Sequence, residues 1–336
     1  MRGLWIEHAV VCGLFGLVVY NQVCILNLQK RGTDVHVATS RGALDAARQP
    51  AVAAQPKTAW TPFPAARHPL AVDCNNVSIA VPIRAFGMAS LGPEYMVSYS
   101  WWDSRGNPHK KTYEQMRKGE ANNAVRRVQK LLLGSPPGAA FLDVGANVGF
   151  MTFFAPATDR PVYAFDPVSY GVSKLCEGVL VNLAARTLRW DQGALVHIFH
   201  AAVGPECRKG VEITHPADKV GFFDQASLSA GAVLTSKDRT TTERVDMLRL
   251  DDVIPKDVPV GVVKIDVQGH EEGVLRSMAQ ILARTTGYPT ALMFEDDQDL
   301  TTRAGWTPGN CLKILTSAGY RCERTGGDSV CTEPAR

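Results

Sequence analysis

Ten consecutive residues constrain this chain more than any other stretch. From Phe141 to Phe150 an apolar run passes through an acid, Asp143, and breaks into a turn carrying Gly145, Asn147 and Gly149. Glycines at such a turn let backbone N–H groups and a helix N-terminus come close to a ligand. A second apolar run, Val162 to Phe165, follows and ends in another acid, Asp166. In a doubly wound α/β sheet the end of that second strand lies beside the first turn, where a carboxylate can accept hydrogen bonds from ribose hydroxyls.

The dinucleotide fingerprint of such sheets needs a middle glycine for close approach to a pyrophosphate. Asn147 stands in its place. The pattern therefore favours a nucleoside ligand without a diphosphate. S-adenosylmethionine fits, with Asp143, Gly145, Asn147 and Gly149 near its methionine end and Asp166 at its ribose.

Short apolar runs continue to alternate with helical stretches. Strands are expected over Ala140–Val144, Val162–Phe165, Val196–Ala201, Val260–Val267 and Ala291–Glu295, and helices over Ser169–Ala184, Glu271–Ala283 and Asn310–Ala318. Apolar strands alternating with helices predict an α/β fold, a doubly wound, mostly parallel sheet covered on both faces. Tyr320–Arg324 and Ser329–Glu333 flank a turn at Gly326-Gly327 and read as a C-terminal antiparallel hairpin. Gly204 to Leu250 is an insertion or extended connection. Residues 71–138 form a mixed prelude, with strands expected over Val77–Val81 and Tyr95–Ser100 and a helix over Tyr113–Leu133.

The N-terminus points to a membrane. Ala9 to Leu28 is uncharged and about 20 residues long, enough to cross a bilayer as a helix. No small-residue cleavage pattern follows it, so residues 1–31 read as an uncleaved signal anchor, a transmembrane helix, and the Ala- and Pro-rich residues 32–70 as a stem. Lys30 and Arg31 behind the segment favour a cytosolic body. Cysteine usage favours the lumen: Cys74, Cys176, Cys207, Cys311, Cys322 and Cys331 form an even set in the body, and Asn76-Val77-Ser78 is a glycosylation sequon. In a regular hairpin Cys322 and Cys331 face each other within reach of a disulfide. The expectation is a type II single-pass protein of the Golgi and secretory pathway.

The segments LDVGANVGF and VYAFDP, Leu250-Asp251-Asp252 and the run from Val263 to Glu271 (VKIDVQGHE) together resemble the FkbM family of methyltransferases, over roughly Tyr113 to Glu295. The resemblance implies a class I, Rossmann-like methyltransferase domain over 139–336, with S-adenosylmethionine as donor and, in several members, sugar or natural-product hydroxyls as acceptors. One departure stands out. Gln268 occupies a position where many relatives carry Glu.

Methyl transfer is an in-line displacement, so alignment dominates, and an alcohol acceptor must also lose a proton to a base within hydrogen-bond reach. Candidates cluster at the C-terminal end of the strand ending near Val267, where ligands bind in open α/β sheets. Lys264 and Asp266 share one strand face, and His270 and Glu271 open the next helix. Asp266 or His270 is the expected base, and Glu295 an acceptor-binding group; Lys264 either takes part or neutralises Asp266. No metal is expected, because no His-rich ligand set accompanies Glu295, Asp296 and Asp297. The 36 Lys and Arg against 33 Asp and Glu leave +3 over 336 residues, with no concentrated basic surface for nucleic acid. The acceptor is expected to be a glycan or another hydroxylated molecule. Two other readings stand beside this one: a non-catalytic binding module on the same fold, and a cytosol-facing enzyme acting on lipids or small molecules.

Overall fold

The computed structural model describes residues 24–27, 35–38, 68–77, 83–88, 91–99, 123–216, 226–228 and 240–333. Two sheets organise them. β1 (Cys24–Asn27), β2 (Val35–Ala38), β3 (Ile83–Met88) and β4 (Tyr95–Tyr99) form a four-stranded antiparallel sheet. The second sheet has nine strands: β5 (Ala140–Val144), β6 (Val162–Asp166), β7 (Val196–Val203), β8 (Arg208–Pro216), β9 (Thr240–Leu248), β10 (Val260–Ile265), β11 (Ala291–Glu295), β12 (Arg321–Thr325) and β13 (Asp328–Thr332).

Its order is β12-β13-β11-β10-β5-β6-β7-β9-β8, and only β8 and β13 run against the rest. From β7 inward, the strands follow the doubly wound order that reverses beside the first strand, here between β5 and β10. The hairpin strand β13 inserts between β11 and β12, so the expected C-terminal hairpin closes one edge. β8 and β9 extend the other. They place two parts of the stretch from Gly204 to Leu250, of which residues 217–225 and 229–239 lie outside the described residues.

Both faces of the central strands are buried because their side chains alternate between two cores. Phe141, Val162, Ala164 and Met293 pack with α1 (Asn123–Gly134) and α2 (Ser169–Ala184). Leu142, Val144, Phe165, Ile265 and Phe294 pack on the opposite face with α3 (Glu271–Ser277) and α4 (Asn310–Ser317). A period of two with both sets apolar is what a covered parallel sheet requires.

The first sheet is fastened to α2. Asn182 mimics a strand: its Oδ1 accepts from the Met96 N–H at 2.7 Å, and its Nδ2 donates to the Met96 carbonyl at 2.8 Å. Ser98 donates to Glu177, which is paired with Lys174 in a fully buried ion pair. A disulfide joins Cys74 to Cys176, buried on α2.

Several expectations change. A helix over Ala9–Leu28 meets the described residues only at Cys24–Asn27, and these are a strand; the rest of the segment lies outside the described residues. No helix among the described residues is long and apolar enough to cross a membrane. Of the strand expected over Val77–Val81 only Val77 is described, and it closes a 3-10 turn over Cys74–Asn76 by donating to the Cys74 carbonyl; the first prelude strand among the described residues is Ile83–Met88. Of the helix expected over Tyr113–Leu133, residues 113–122 lie outside the described set.

The helix expected from Glu271 to Ala283 breaks at Met278 and restarts over Ala279–Leu282. The buried Asp251 carboxylate explains the restart. It accepts from the N–H groups of Gln280 and Ile281, both at 3.0 Å, capping the new N-terminus. The Leu250-Asp251-Asp252 segment thus carries a cap for a neighbouring helix. The second disulfide, Cys322–Cys331, staples β12 to β13 across the hairpin, as the symmetric spacing predicts.

Candidate active site

The C-terminal ends of β5, β6, β7 and β10 open into a cavity of about 270 Å³. Its floor is the glycine turn after β5. Gly145 has φ 78°, and a Cβ there would stand 1.8 Å from the Asp266 carbonyl oxygen, so only glycine lets β5 and β10 close at this point. Asn147 also takes a left-handed conformation, φ 52°, which asparagine tolerates better than most residues.

Asp166 holds the turn in that shape. Its Oδ2 accepts from the Asn147 N–H at 2.7 Å, and its Oδ1 from the Val168 N–H at 2.9 Å. A Cβ on Gly171 would lie 2.5 Å from the same carboxylate, so glycine at that helical position makes room for it. Burial pushes the Asp166 carboxyl up to about 6, even against those two N–H donors.

Asp143 sits one strand over, 1% exposed. Thr152 donates to its Oδ2 at 2.6 Å, and Lys264 faces its Oδ1 at 3.5 Å from the paired position on β10. Lys264 Nζ also donates to the Gly145 carbonyl at 2.5 Å and lies 3.6 Å from Asp266. Burial acts to lower the Lys264 pKa, but the carboxylates of Asp266, Asp143 and Asp166 outweigh it and raise it. Lys264 is therefore an ammonium that ties the glycine turn to β10. It touches Asp143 as closely as Asp266.

The far wall is apolar. Ala201, Ala202 and Val203 at the end of β7 meet Ile213 from β8 and Ala226 and Leu228 from the connection to β9, while Phe150 and Met151 line the cavity after the glycine turn. Sequence reasoning missed the contribution of β8 and its connection, whose polar residues give no strand alternation strong enough to place them.

The reacting end lies after β10. The strand stops at Ile265, and Asp266 follows it, its N–H donating to Val144 at 3.0 Å and its side chain 47% exposed. Asp266 and Gln268 line the cavity. Gln268 Nε2 donates to Asp266 Oδ1 at 3.1 Å and to Glu295 Oε2 at 2.8 Å. Glu295 stands behind Gln268, in a neighbouring groove with Asp296, Asp297 and Arg324, rather than on the cavity wall. Burial, with Asp266, Glu271, Asp297 and Asp328 nearby, pushes its carboxyl up to about 9.

His270 is drawn elsewhere. Its Nδ1 accepts from the Trp306 indole N–H at 3.0 Å, and the two rings meet edge to face. Burial lowers its pKa to about 4. It is absent from the cavity lining, so the structure brings Asp266 to the cavity and leaves His270 aside. Glu271 caps the loop before it: Oε1 accepts from the N–H groups of Val267 and Gly269 at 3.1 and 3.2 Å. No group of three or more His, Cys, Asp or Glu among the described residues is placed to hold a metal ion.

A doubly wound sheet with an antiparallel strand next to its last parallel one, a glycine turn after the first strand and an acid ending the second defines a class I methyltransferase-like fold. The family model for the Methyltransferase FkbM domain matches residues 143–322, and the chain belongs to that family. S-adenosylmethionine is the methyl donor of this S-adenosylmethionine-dependent methyltransferase. The residues present fit it. Asn147 Oδ1 is buried and accepts no hydrogen bond among the described residues, and buried acceptors are seldom left so. The donor's ammonium and hydroxyls match acceptors of this kind, and its flat base matches the apolar wall.

No curated protein matches the chain. Solved structures that are similar at low identity include two methyltransferases. The 16S rRNA methyltransferase RsmC of T. Thermophilus, in complex with AdoMet and guanosine, is 15% identical, with a TM-score of 0.35 and 76% of this chain covered. This chain covers 51% of that protein, about half its length. The magnesium protoporphyrin IX methyltransferase ChlM of Synechocystis PCC 6803, with bound SAH, is 14% identical, with a TM-score of 0.33, 69% of this chain covered and 90% of that one.

Proposed function

We propose that the protein is an O-methyltransferase acting on a hydroxyl of a glycan or other uncharged hydroxylated acceptor, with Asp266 as the general base. One observation carries the reading: Asp266 is a carboxylate on the cavity wall, half exposed, fixed at the end of a central strand. Bound S-adenosylmethionine supplies a methyl group on a sulfonium sulfur, open to displacement by an acceptor oxygen. Asp166 accepts hydrogen bonds from the ribose hydroxyls with the lone pairs its two N–H donors leave. Asp143, Gly145, Asn147 and Gly149 shape the methionine end. Asp266 takes the acceptor's proton as the oxygen attacks, and Glu295, held protonated by burial and neighbouring acids, contributes a neutral polar group behind Gln268.

The surroundings support an uncharged acceptor. Asp266, Asp296, Asp297 and Asp328 crowd this side of the sheet, and a phosphodiester backbone would meet their repulsion. The disulfides Cys74–Cys176 and Cys322–Cys331 support a body in an oxidising lumen, and Asn76 is exposed for glycosylation. With the apolar run Ala9–Tyr20 as a tether, this is the type II secretory-pathway arrangement.

Incubation of the full-length protein with labelled donor and a panel of glycans, lipids and proteins tests the acceptor class. Label in the glycan fraction is expected. Label confined to lipid or protein would contradict the reading. In the same assay Asp266→Asn should lose about 100-fold or more of turnover, the usual scale for a positioned base; wild-type turnover would remove Asp266 from that role.

A further inference from the structure

The turn after β10 is held more firmly than a connection needs. Gln268 takes φ 54° and Gly269 φ 95°, a left-handed pair in which a side chain at 268 is disfavoured. Three elements hold it there. Glu271 of α3 accepts from the N–H groups on either side of Gln268, and Ser227 Oγ donates to the Gln268 carbonyl at 3.1 Å. A Cβ on Gly269 would lie 2.6 Å from the Leu300 carbonyl oxygen, so the backbone packs closely against the segment after β11. Backbone held in a sparsely populated region persists when its surroundings over-determine it, and such residues cluster at functional sites.

What this arrangement aims is one amide. Gln268 Nε2 places its two N–H donors on two acids at once, Asp266 on the cavity and Glu295 behind it. We propose that Gln268 is the positioning residue of the reaction: it orients Asp266 toward the cavity and keeps that base from sharing a proton with Glu295. This rests on the reading of Asp266 as the base.

Two carboxyl groups in contact share one proton and titrate as a pair. In such a pair the lone pairs of the base are turned to the shared proton. An amide between them satisfies an oxygen of each acid with a donor that cannot be transferred. Asp266 then keeps its lone pairs for an acceptor hydroxyl, and Glu295 keeps its own proton. The charged groups around Asp266 are Lys264 on its own strand, Asp143 on β5, Glu271 on α3, Glu295 on β11 and Asp328 on β13, the last answered by Arg127 of α1. Among them Lys264 is the cation that reaches Asp266, at 3.6 Å, so the neutral amide is what divides the acids.

Carboxyl-carbon NMR titration of the full-length protein tests this without the acceptor, with Asp266→Asn to assign the Asp266 resonance. Gln268→Leu removes the divider, and Gln268→Glu replaces it with a third acid at equal size. Both are expected to move the Asp266 midpoint by about one pH unit or more, tenfold in acidity, because Asp266 then titrates as one of a pair. Adding Glu295→Gln to Gln268→Leu removes the second acid and should return the midpoint toward wild type. An unchanged midpoint in folded Gln268→Leu and Gln268→Glu overturns the proposal, as does a moved midpoint that Glu295→Gln fails to return. Turnover of Asp266→Asn separates the two claims: if that variant is dead while the midpoints never move, the positioning role alone falls; if it turns over like wild type, the base assignment falls.

Discussion

On the β5–β6 side of the cavity each acid is met by a donor, and on the β10–β11 side the acids face one another. Asp166 has the N–H groups of Asn147 and Val168, and Asp143 has Thr152 and Lys264. Across the cavity, Glu295 lies among Asp266, Glu271, Asp297 and Asp328, with the Gln268 amide bridging it to Asp266. In the proposed function the first side serves binding, because its polar groups are already oriented and a ligand need not reorganise them. The second side, where burial and neighbouring acids hold the proton on Glu295, serves proton transfer in the same proposal.

The largest break in this contrast comes from the turn where the sides touch. Gly145→Ala would drive a Cβ into the Asp266 carbonyl at a backbone φ of 78°, separating β5 from β10. The expected outcome is loss of S-adenosylhomocysteine binding and about 3 kcal/mol or more of stability, read by calorimetry and denaturant unfolding. A folded variant with full affinity would show that the closure of the two strands is not needed.

The two disulfides extend the contrast to stability. Cys74–Cys176 ties the 3-10 turn over Cys74–Asn76 to α2 on the binding side across 102 residues, while Cys322–Cys331 spans 9 on the other. Loop-closure entropy assigns about 4.7 kcal/mol to a link across roughly 100 residues and under about 3 kcal/mol to a short one. Cys74→Ser should therefore lower the unfolding midpoint more than Cys322→Ser. The reverse order would place the greater constraint on the hairpin edge.

The smallest effect sharpens the acid-rich side. The Glu295 carboxyl is raised from 4.5 to about 9 in the folded protein, so the folded state holds a proton that the unfolded state releases. Its contribution is full below about pH 4.5 and is lost as pH rises toward about 9, so stability falls across that window. Glu271, pushed by burial to about 7, and Asp166, to about 6, act in the same direction over narrower ranges. Glu295→Gln should flatten the fall of Tm with pH in the alkaline half of the window. A slope unchanged from wild type would show that Glu295 ionises freely.

The binding side was legible in the sequence because its chemistry is local. Asp143, Gly145, Asn147 and Gly149 come from one strand–turn–helix run, and Asp166 ends the next strand, so period and spacing alone bring them together. The central parallel strands and the C-terminal hairpin were legible for the same reason. The acid-rich side depends on contacts between distant segments. The partner of His270 is Trp306, 36 residues on, and nothing near His270 shows that its ring is drawn away from the cavity. Gln268 looked like a departure from a motif, and its role follows only from the pairing of β10 with β11. The β8 and β9 strands were hidden because their exposed, polar positions mask the few buried apolar ones, Val211, Ile213, Val245 and Met247. The Cys74–Cys176 link joins segments 102 residues apart, and no spacing rule selects it from an even set of cysteines.

The division of labour between the two sides is tested most directly by calorimetric titration of S-adenosylhomocysteine into the wild type, Asp166→Ala and Asp266→Asn. The wild type and Asp266→Asn should bind alike. Asp166→Ala should bind about 1–3 kcal/mol more weakly, the cost of leaving hydroxyl donors without a partner, because in the proposed function Asp166 serves binding and Asp266 serves proton transfer. A wild type that gives no heat, or an Asp266→Asn variant weakened as much as Asp166→Ala, would contradict the account.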